Sequence, residues 1–386
     1  MYKILTLNKI AEVGLRHLPK ENYEMVAEGA DADGILLRSF NMHDMALPKS
    51  LKAIGRAGAG VNNIPVEQCA QKGIVVFNTP GANANAVKEL VVAGLLLSSR
   101  KIVDGIQWVQ SLQNETGVAK LVEQGKSQFV GPELAGKKLG VVGLGAIGVL
   151  VANAAHALGM EVYGCDPFIS VDAAWRLSRG VNKANSVDDI LAACDYISVH
   201  VPLNDKTKHM INDEALSKVK PGARLLNFSR GELVDDAAVK AALGRGLLSA
   251  YVTDFPNEGL LGCVGVLAIP HLGASTPESE DNCAEMAAKQ LKDYLEYGNI
   301  VNSVNFPDCV LPYAGKKRVC IIHHNVPSVV GPLTTAFAQK RINIDKMISM
   351  SKGDYAYAII DADGPDVHVV EADLMAVEGV INVRFL

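Results

Sequence analysis

Aromatic residues make up only 5% of this 386-residue chain, against 35 glycines. That balance argues against an all-β sandwich and for sheets covered by helices, joined by tight glycine turns. The seven cysteines (Cys69, Cys165, Cys194, Cys263, Cys283, Cys309 and Cys320) are odd in number and scattered. They form no Cys-x-x-Cys pair and no Cys/His cluster, so neither a disulfide framework nor a metal site is expected, and a reduced, cytoplasmic setting fits them. The amino terminus, MYKILTLNKI, lacks the basic region and long apolar stretch of a signal peptide. Apolar runs such as residues 90–98 are too short to span a bilayer, so no membrane association is expected. A formal charge of −5 leaves no basic footprint for nucleic acid, though a local positive pocket for a small anion is compatible with it. There is no internal repeat and no low-complexity stretch.

Charged residues are a fifth of the chain and apolar ones about half, an ordinary globular balance. The length exceeds what one hydrophobic core supports and predicts two or three domains. In the first hundred residues, short apolar runs at 3–7, 34–37, 53–58 and 73–78 alternate with helical segments, the pattern of a parallel sheet. Residues 86–103 read as a long apolar helix, and 104–133 as a more polar surface helix and loop. A second alternating series begins near Gly136, with strands expected at 138–144, 161–166, 196–201, 223–229, 250–255 and 264–269. Six strands with crossover helices are what a doubly wound dinucleotide fold requires. Residues 275–297 read as a helix returning the chain to the first domain. Beyond Pro312 the pattern becomes β-α-β-β-α-β, a split βαβ unit.

Gly143-Leu144-Gly145-Ala146-Ile147-Gly148 matches the G-x-G-x-x-G fingerprint and lies between an apolar strand and a helix. The first glycine permits the tight turn, the second a close approach of pyrophosphate, the third close packing of helix on strand. The free amides of the helix start then face the phosphates. Asp166 ends the next strand, where its carboxylate would bind the adenosine ribose hydroxyls and repel a 2′-phosphate, so the expected cofactor is NAD.

Three further stretches sit at the carboxyl ends of later strands: Asn227 to Asp235, Asp254 to Glu258 and Pro270 to Thr276. Reduction of a 2-keto acid needs a hydride, a proton for the forming alkoxide and an anchor for the carboxylate. Arginine binds a carboxylate bidentately and stays charged, which assigns Arg230 as anchor and polariser. Histidine titrates near working pH, which assigns His271 as the acid/base. A neighbouring carboxylate, Glu258, would orient it.

At these residues the chain resembles the D-2-hydroxyacid dehydrogenases: N-x-x-R-G-x-x-x-D from Asn227, the acid of Phe255-Pro256-Asn257-Glu258, and P-H-x-G-x-x-T from Pro270 are similar to that family's signatures. The resemblance runs over essentially the whole chain. It implies a flavodoxin-like substrate domain of residues 1–98 and 288–314, with a Rossmann NAD domain of residues 99–287 inserted. It also implies a homodimer through helices around 86–112, or a tetramer. Val201, Pro202, Thr207, Phe228, Ser229, Arg230, Asp254, His271 and Gly273 are implied to bind the cofactor, Pro202 and Thr207 in a segment that lines the nicotinamide side. Glu258 and His271 stand closer in sequence than is usual for the family, and Val252-Thr253-Asp254 departs from its usual Asp before Val-Phe. Asp254 is therefore the alternative partner for His271.

Within the family, Arg56-Ala57-Gly58-Ala59-Gly60-Val61-Asn62-Asn63-Ile64, Asn78-Thr79-Pro80-Gly81 and Leu37-Arg38-Ser39 are most similar to the branch that oxidises D-3-phosphoglycerate with NAD. Arg38, Ser39, Arg56, Ala57 and Gly58 are thereby implied near the substrate, where extra arginines suit a phosphate opposite a carboxylate. Residues 318–386 resemble an ACT domain, a small amino-acid-binding module. His323, Asn325 and, from a second subunit, Asn343 would contact an effector such as L-serine. Ser328 stands where that family's glycine is expected, and its Cβ disfavours a positive-φ turn. Two other functions stay open on the sequence: a reductase for glyoxylate or hydroxypyruvate, and a non-catalytic NAD(H)-sensing corepressor-like protein.

Overall fold

The computed structural model describes residues 1–27, 31–364 and 366–386. Its backbone divides into two compact units, residues 1–83 with 277–386, and residues 84–276.

In the first unit, β1 (Tyr2–Leu7), β2 (Tyr23–Val26), β3 (Gly34–Leu37), β4 (Ala53–Arg56) and β5 (Val75–Phe77) form a parallel sheet in the order β2-β1-β3-β4-β5. This is the flavodoxin-like arrangement. Gly34, Ile35, Leu36 and Leu37 are all buried, as expected for a strand covered on both faces. The expected N-terminal strands are present. The edge strand β2 has no counterpart among them, since only Tyr23 of its four residues is fully buried and no period of two marks it.

The second unit carries β6 (Lys138–Val142), β7 (Glu161–Cys165), β8 (Asn182–Lys183), β9 (Tyr196–Val199), β10 (Ala223–Asn227), β11 (Leu248–Thr253) and β12 (Val266–Ala268). All are parallel, in the order β12-β11-β10-β9-β6-β7-β8. The chain reverses its winding between β6 and β9, so a crevice opens beyond their carboxyl ends. The six expected strands are all there, joined by the two-residue β8. Helix Val187–Ala193 begins at a capping box, with Ser186 and Asp189 each satisfying the other's backbone amide.

Residues 277–386 add β13 (Lys317–His324), β14 (Asn343–Lys352), β15 (Tyr355–Asp363) and β16 (Val380–Phe385), an antiparallel sheet in the order β14-β15-β13-β16. With helices Val330–Gln339 and Glu371–Met375 this is the expected split βαβ unit. One face of the sheet, including Val319, Ile321, Ala358 and Ile360, packs on those helices with Leu333 and Phe337. The opposite residues Cys320, Ile322, Tyr355, Tyr357 and Ile359 belong to one core with Ile4, Leu36, Phe77 and Leu291. Arg318 and Asp361, both with fully buried side chains, form a bidentate pair (Nε–Oδ1 2.6 Å, Nη2–Oδ2 2.8 Å), and Arg318 Nη1 donates to the Tyr297 carbonyl at 2.7 Å. The 318–386 module is thus built into the first unit.

The units divide at 83/84 and 276/277, not near residues 98 and 288. Packing explains the shift. Helix Ala84–Arg100 places Val87, Val91 and Leu95 in a core with Leu139, Val141 and Leu226, whereas helix Pro277–Tyr297 places Ala284, Ala287 and Leu291 against β1, β3 and β4 residues. Among the described residues, no helix is long and apolar enough to cross a membrane and no group of three or more His, Cys, Asp or Glu could hold a metal ion.

Candidate active site

The fingerprint loop joins β6 to helix Ala146–Ala157. Gly143 has φ +93°, and a Cβ there would lie 2.6 Å from the His200 carbonyl oxygen. A Cβ on Gly148 would lie 1.9 Å from the Gly143 carbonyl oxygen, so helix and strand meet too closely for any side chain. A Cβ on Gly145 would meet nothing within 4 Å. That open side, with no side chain capping the helix start, leaves room and unfilled donors for a pyrophosphate. Ala146 and Ile147 form the helix's first turn.

Asp166 follows β7. Its Oδ2 accepts from the Leu144 amide and its Oδ1 from the Phe168 amide, both at 2.8 Å. These bonds hold the carboxylate beside the loop. A cavity of about 710 Å³ opens there, lined by Leu144, Asp166, Pro167, Ile169 and Ala184 among others. Its apolar walls and single carboxylate suit an adenosine.

On the other side of the crevice, the Ser229 hydroxyl donates to the Val201 carbonyl at 2.8 Å and the Thr207 hydroxyl to the Pro202 carbonyl at 2.6 Å. The first bond ties the ends of β9 and β10 together, and the second closes the loop that follows β9. Phe228 is buried against a would-be Cβ of Gly94. His200, whose Nε2 lies 2.8 Å from Ser198 Oγ, is held neutral, since burial pushes its pKa down to about 4. It was not singled out from the sequence. Its only signal there is its position beside Val201 and Pro202.

Arg230 is exposed at the end of β10, and the buried Asn227 side chain holds its backbone by donating to the Arg230 carbonyl at 2.8 Å. This explains the asparagine three residues before the arginine. His271 is also exposed, its ring 4.8 Å from that of Phe255 at 58°. Glu258 lies exposed in the loop after β11, and among the described residues no hydrogen bond joins it to His271. Asp254 is fully buried at the end of β11, with Oδ2 accepting from the Gly273 amide at 3.2 Å, and it feels the charge of His271. Burial pushes its carboxyl up, while His271 first, then the Gly273 amide and Arg230, pull against that shift. Its Oδ1 is buried without a hydrogen-bond partner. The shorter spacing had made Asp254 the alternative to Glu258; of the two, Asp254 is buried and Glu258 exposed. Arg230, His271, Asp254 and Gly273 thus make one charged cluster able to bind a carboxylate and move a proton.

In the first unit, Arg38 and Arg56 stand at the ends of β3 and β4, whose register sets Leu37 beside Arg56. Arg38 is paired with Glu280. Ser39 donates its amide to Asn8 Oδ1 at 3.1 Å. Gly58 has φ +147°, a backbone conformation that favours glycine, and a Cβ there would fall 1.4 Å from Arg56 Nη1, so a side chain would displace the guanidinium from where it lies. Asn78 Nδ2 donates to the Ala59 carbonyl at 2.7 Å and the Thr79 amide to the Gly58 carbonyl at 3.0 Å, fixing the loop. Asn78 had been quoted only as part of a motif, and its role becomes visible in these bonds.

In the C-terminal module, His323 is buried, its Nδ1 2.8 Å from the His324 carbonyl, and burial lowers its pKa. Asn325 Nδ2 donates to the Gly353 carbonyl at 3.0 Å. Asn343 is not brought to them: His323 pairs with Ala356 and Asn343 with Asp363, so within one chain they are roughly 23 Å apart along β15. Ser328 takes φ +69° despite its Cβ.

A family profile described as D-isomer specific 2-hydroxyacid dehydrogenase, NAD binding domain, matches residues 92–273. The D-3-phosphoglycerate dehydrogenase of Escherichia coli strain K12 is 33% identical over 352 residues, covering 88% of this chain and 82% of that protein. That of Methanocaldococcus jannaschii is 34% identical over 337 residues, 82% of this chain, which spans 62% of that relative's length. Among solved structures, NAD+-bound 3-phosphoglycerate dehydrogenase of Entamoeba histolytica is 28% identical with TM-score 0.62, covering 79% of this chain and 98% of that one. A glyoxylate reductase from Paecilomyes thermophila is 25% identical with TM-score 0.64, covering 78% and 98%. Fingerprint loop, Asp166 beside it and charged cluster therefore agree with the profile and the relatives: this chain belongs to the D-isomer specific 2-hydroxyacid dehydrogenases, enzymes dependent on NAD, and carries their NAD-binding domain.

Proposed function

We propose that the chain oxidises D-3-phosphoglycerate to 3-phosphohydroxypyruvate with NAD, reversibly, as the first step of phosphorylated serine synthesis. Beyond the relatives' own activity, the observation that carries this is the pair of arginines at the ends of adjacent strands, Arg38 and Arg56, with Gly58 making room for the second. Bound NAD supplies the hydride acceptor. Arg230 binds the substrate carboxylate and polarises the C2 oxygen. His271 takes the C2 hydroxyl proton on its imidazole as the hydride leaves C2, and returns it in reduction. Asp254 favours the protonated ring. Arg38, Ser39, Arg56, Ala57 and Gly58 are assigned to the phosphoryl end.

We assign residues 318–386 to an ACT-type module binding an amino acid such as L-serine through His323 and Asn325, with Asn343 supplied by a second copy, since one chain keeps it distant from them. Helix Ile102–Ser111 buries no residue and exposes Ile106 and Val109, which supports a homodimer or tetramer through residues around 86–112. Seven free cysteines, six of them buried, fit a cytoplasmic enzyme.

The test follows NADH absorbance with phosphohydroxypyruvate, hydroxypyruvate and glyoxylate, each with and without serine. Turnover selective for the phosphorylated acid is expected. Turnover of only the unphosphorylated acids would make the protein a glyoxylate or hydroxypyruvate reductase, and no turnover would point to an NAD(H) sensor.

A further inference from the structure

The hairpin turn between β14 and β15 touches both the proposed effector loop and the segment beneath the proposed substrate loop. On the effector side, the Asn325 amide donates to the Asp354 carbonyl at 2.8 Å and Asn325 Nδ2 to the Gly353 carbonyl at 3.0 Å. The residues flanking the turn grip residues outside the module. Lys352 Nζ donates to the Ser303 carbonyl at 2.8 Å, and the Tyr355 hydroxyl to Glu67 Oε1 at 2.8 Å. The Tyr355 ring meets Phe306 edge-on at 5.5 Å.

Residues 302–305 are in turn laced to β5. The Val304 amide donates to the Val76 carbonyl at 2.9 Å, and Asn305 Oδ1 accepts from the Val76 amide at 2.9 Å while its Nδ2 donates to the Ile74 carbonyl at 2.9 Å. The Asn302 carbonyl accepts from the Asn78 amide at 3.4 Å. Asn78 and Thr79 then hold the carbonyls of Ala59 and Gly58, and the Arg56 guanidinium lies beside Gly58. Asn78, Asn302, Ser303, Met350 and Lys352 line one cavity of about 640 Å³. An exposed lysine bonded to one carbonyl is worth little alone. Here its partner residue is buried, and Lys352 is the cation the module sends to it.

We propose that Lys352 is a positioning residue through which the C-terminal module, by way of Ser303, Asn302 and Asn78, sets the affinity of the Arg56–Gly60 loop for its anionic substrate. The proposal rests on the assignment of Arg56 to the substrate. It makes the β14–β15 hairpin the element that an occupant of the Asn325 loop would move.

A contiguous chain of contacts carries weight only when its members are shown to be coupled. The experiment compares full-length wild type, Lys352→Met, Lys352→Arg, Asn78→Ala and the Lys352→Met/Asn78→Ala double variant. In Lys352→Met, KM for phosphohydroxypyruvate is expected to rise about three- to thirtyfold, the range such couplings span. Its kcat and its KM for NADH should stay within about twofold, and Lys352→Arg should restore the wild-type value. The double variant should be no worse than Asn78→Ala alone, since both act along one route. Amide exchange supplies a readout independent of turnover: Thr79 and Gly60 should exchange faster in Lys352→Met while β1 and β3 amides do not. Unchanged exchange at Thr79, additive effects of the two substitutions, or acceleration spread evenly over the first unit would each overturn the proposal. If wild type fails to turn over the phosphorylated acid, the substrate assignment falls, and the exchange data still decide whether Lys352 positions the loop.

Discussion

Replacing Asp254 by Asn separates the two carboxylates that compete for the role of His271's partner. Asparagine has the same shape, keeps an oxygen for the Gly273 amide and removes one buried negative charge. At about 6 Å, the outer reach at which a neighbouring charge shifts a titration, opposite unit charges in an effective dielectric of about 20 attract by about 2.8 kcal/mol, which is about a hundredfold in rate if the stabilised imidazolium belongs to the transition state. Asp254→Asn is therefore expected to lower kcat about a hundredfold, and Glu258→Gln, altering an exposed side chain, less than about threefold. Stability should move the other way. Burial raises the Asp254 pKa above its ordinary 3.8, so between 3.8 and that higher value the native state holds a proton that the unfolded chain has released. Wild-type stability then falls as pH rises through this window, and the full cost of ionisation persists above it. The variant has no such cost, and its melting temperature should equal or exceed that of wild type at pH 7, with the difference shrinking towards pH 3.8. The assays are NADH absorbance kinetics and thermal melts from pH 4 to 8. A greater loss in Glu258→Gln than in Asp254→Asn would refute the assignment, as would a variant whose activity loss follows a fall in melting temperature at neutral pH.

Removal of the acid/base in His271→Ala should cost roughly a hundred- to ten-thousandfold in kcat, measured by the same absorbance assay. Gly148→Ala forces a Cβ to within 1.9 Å of the Gly143 carbonyl, so NADH binding should weaken at least about tenfold by fluorescence titration, with a lower melting temperature. Glu280→Gln releases Arg38 from its partially exposed ion pair; such pairs are worth about 0–1 kcal/mol, so KM for the phosphorylated substrate should fall by up to about fivefold. Arg318→Met leaves Asp361 buried without its cation and should destabilise the protein by about 3–5 kcal/mol in urea unfolding.

The parts of this molecule legible in its sequence are those where backbone geometry dictates residue type. Gly143 takes the positive φ of a tight turn, Gly148 admits the close packing of helix on strand, and Ser328 does adopt the positive φ that a glycine would occupy more easily. What tertiary placement decides was harder to read. Asp254 and Glu258 stand four residues apart on one loop, and only the end of β11 determines which is buried near His271. The Arg38–Glu280 pair joins distant segments that nothing local relates. The compact units divide at other points than the expected domain limits because the helices at 84–100 and 277–297 each carry an apolar stripe whose cover is decided by packing. One signal was present and went unused. Val319-Cys320-Ile321-Ile322 is apolar at both odd and even positions, the mark of a strand covered on both faces, and the second cover is the core of the first unit.

That shared core also orders events during synthesis. Residues 1–83 leave the ribosome first, yet Ile4, Leu36 and Phe77 find their companions only when Cys283 to Phe306 and then Cys320 to Ile359 emerge. At about 5–20 residues per second, the N-terminal strands wait roughly 10–40 s with an unfinished interior while the nucleotide-binding unit is translated and can close. During that interval β3 and β4, apolar on both faces, are the segments of the nascent chain most in need of a chaperone's shelter.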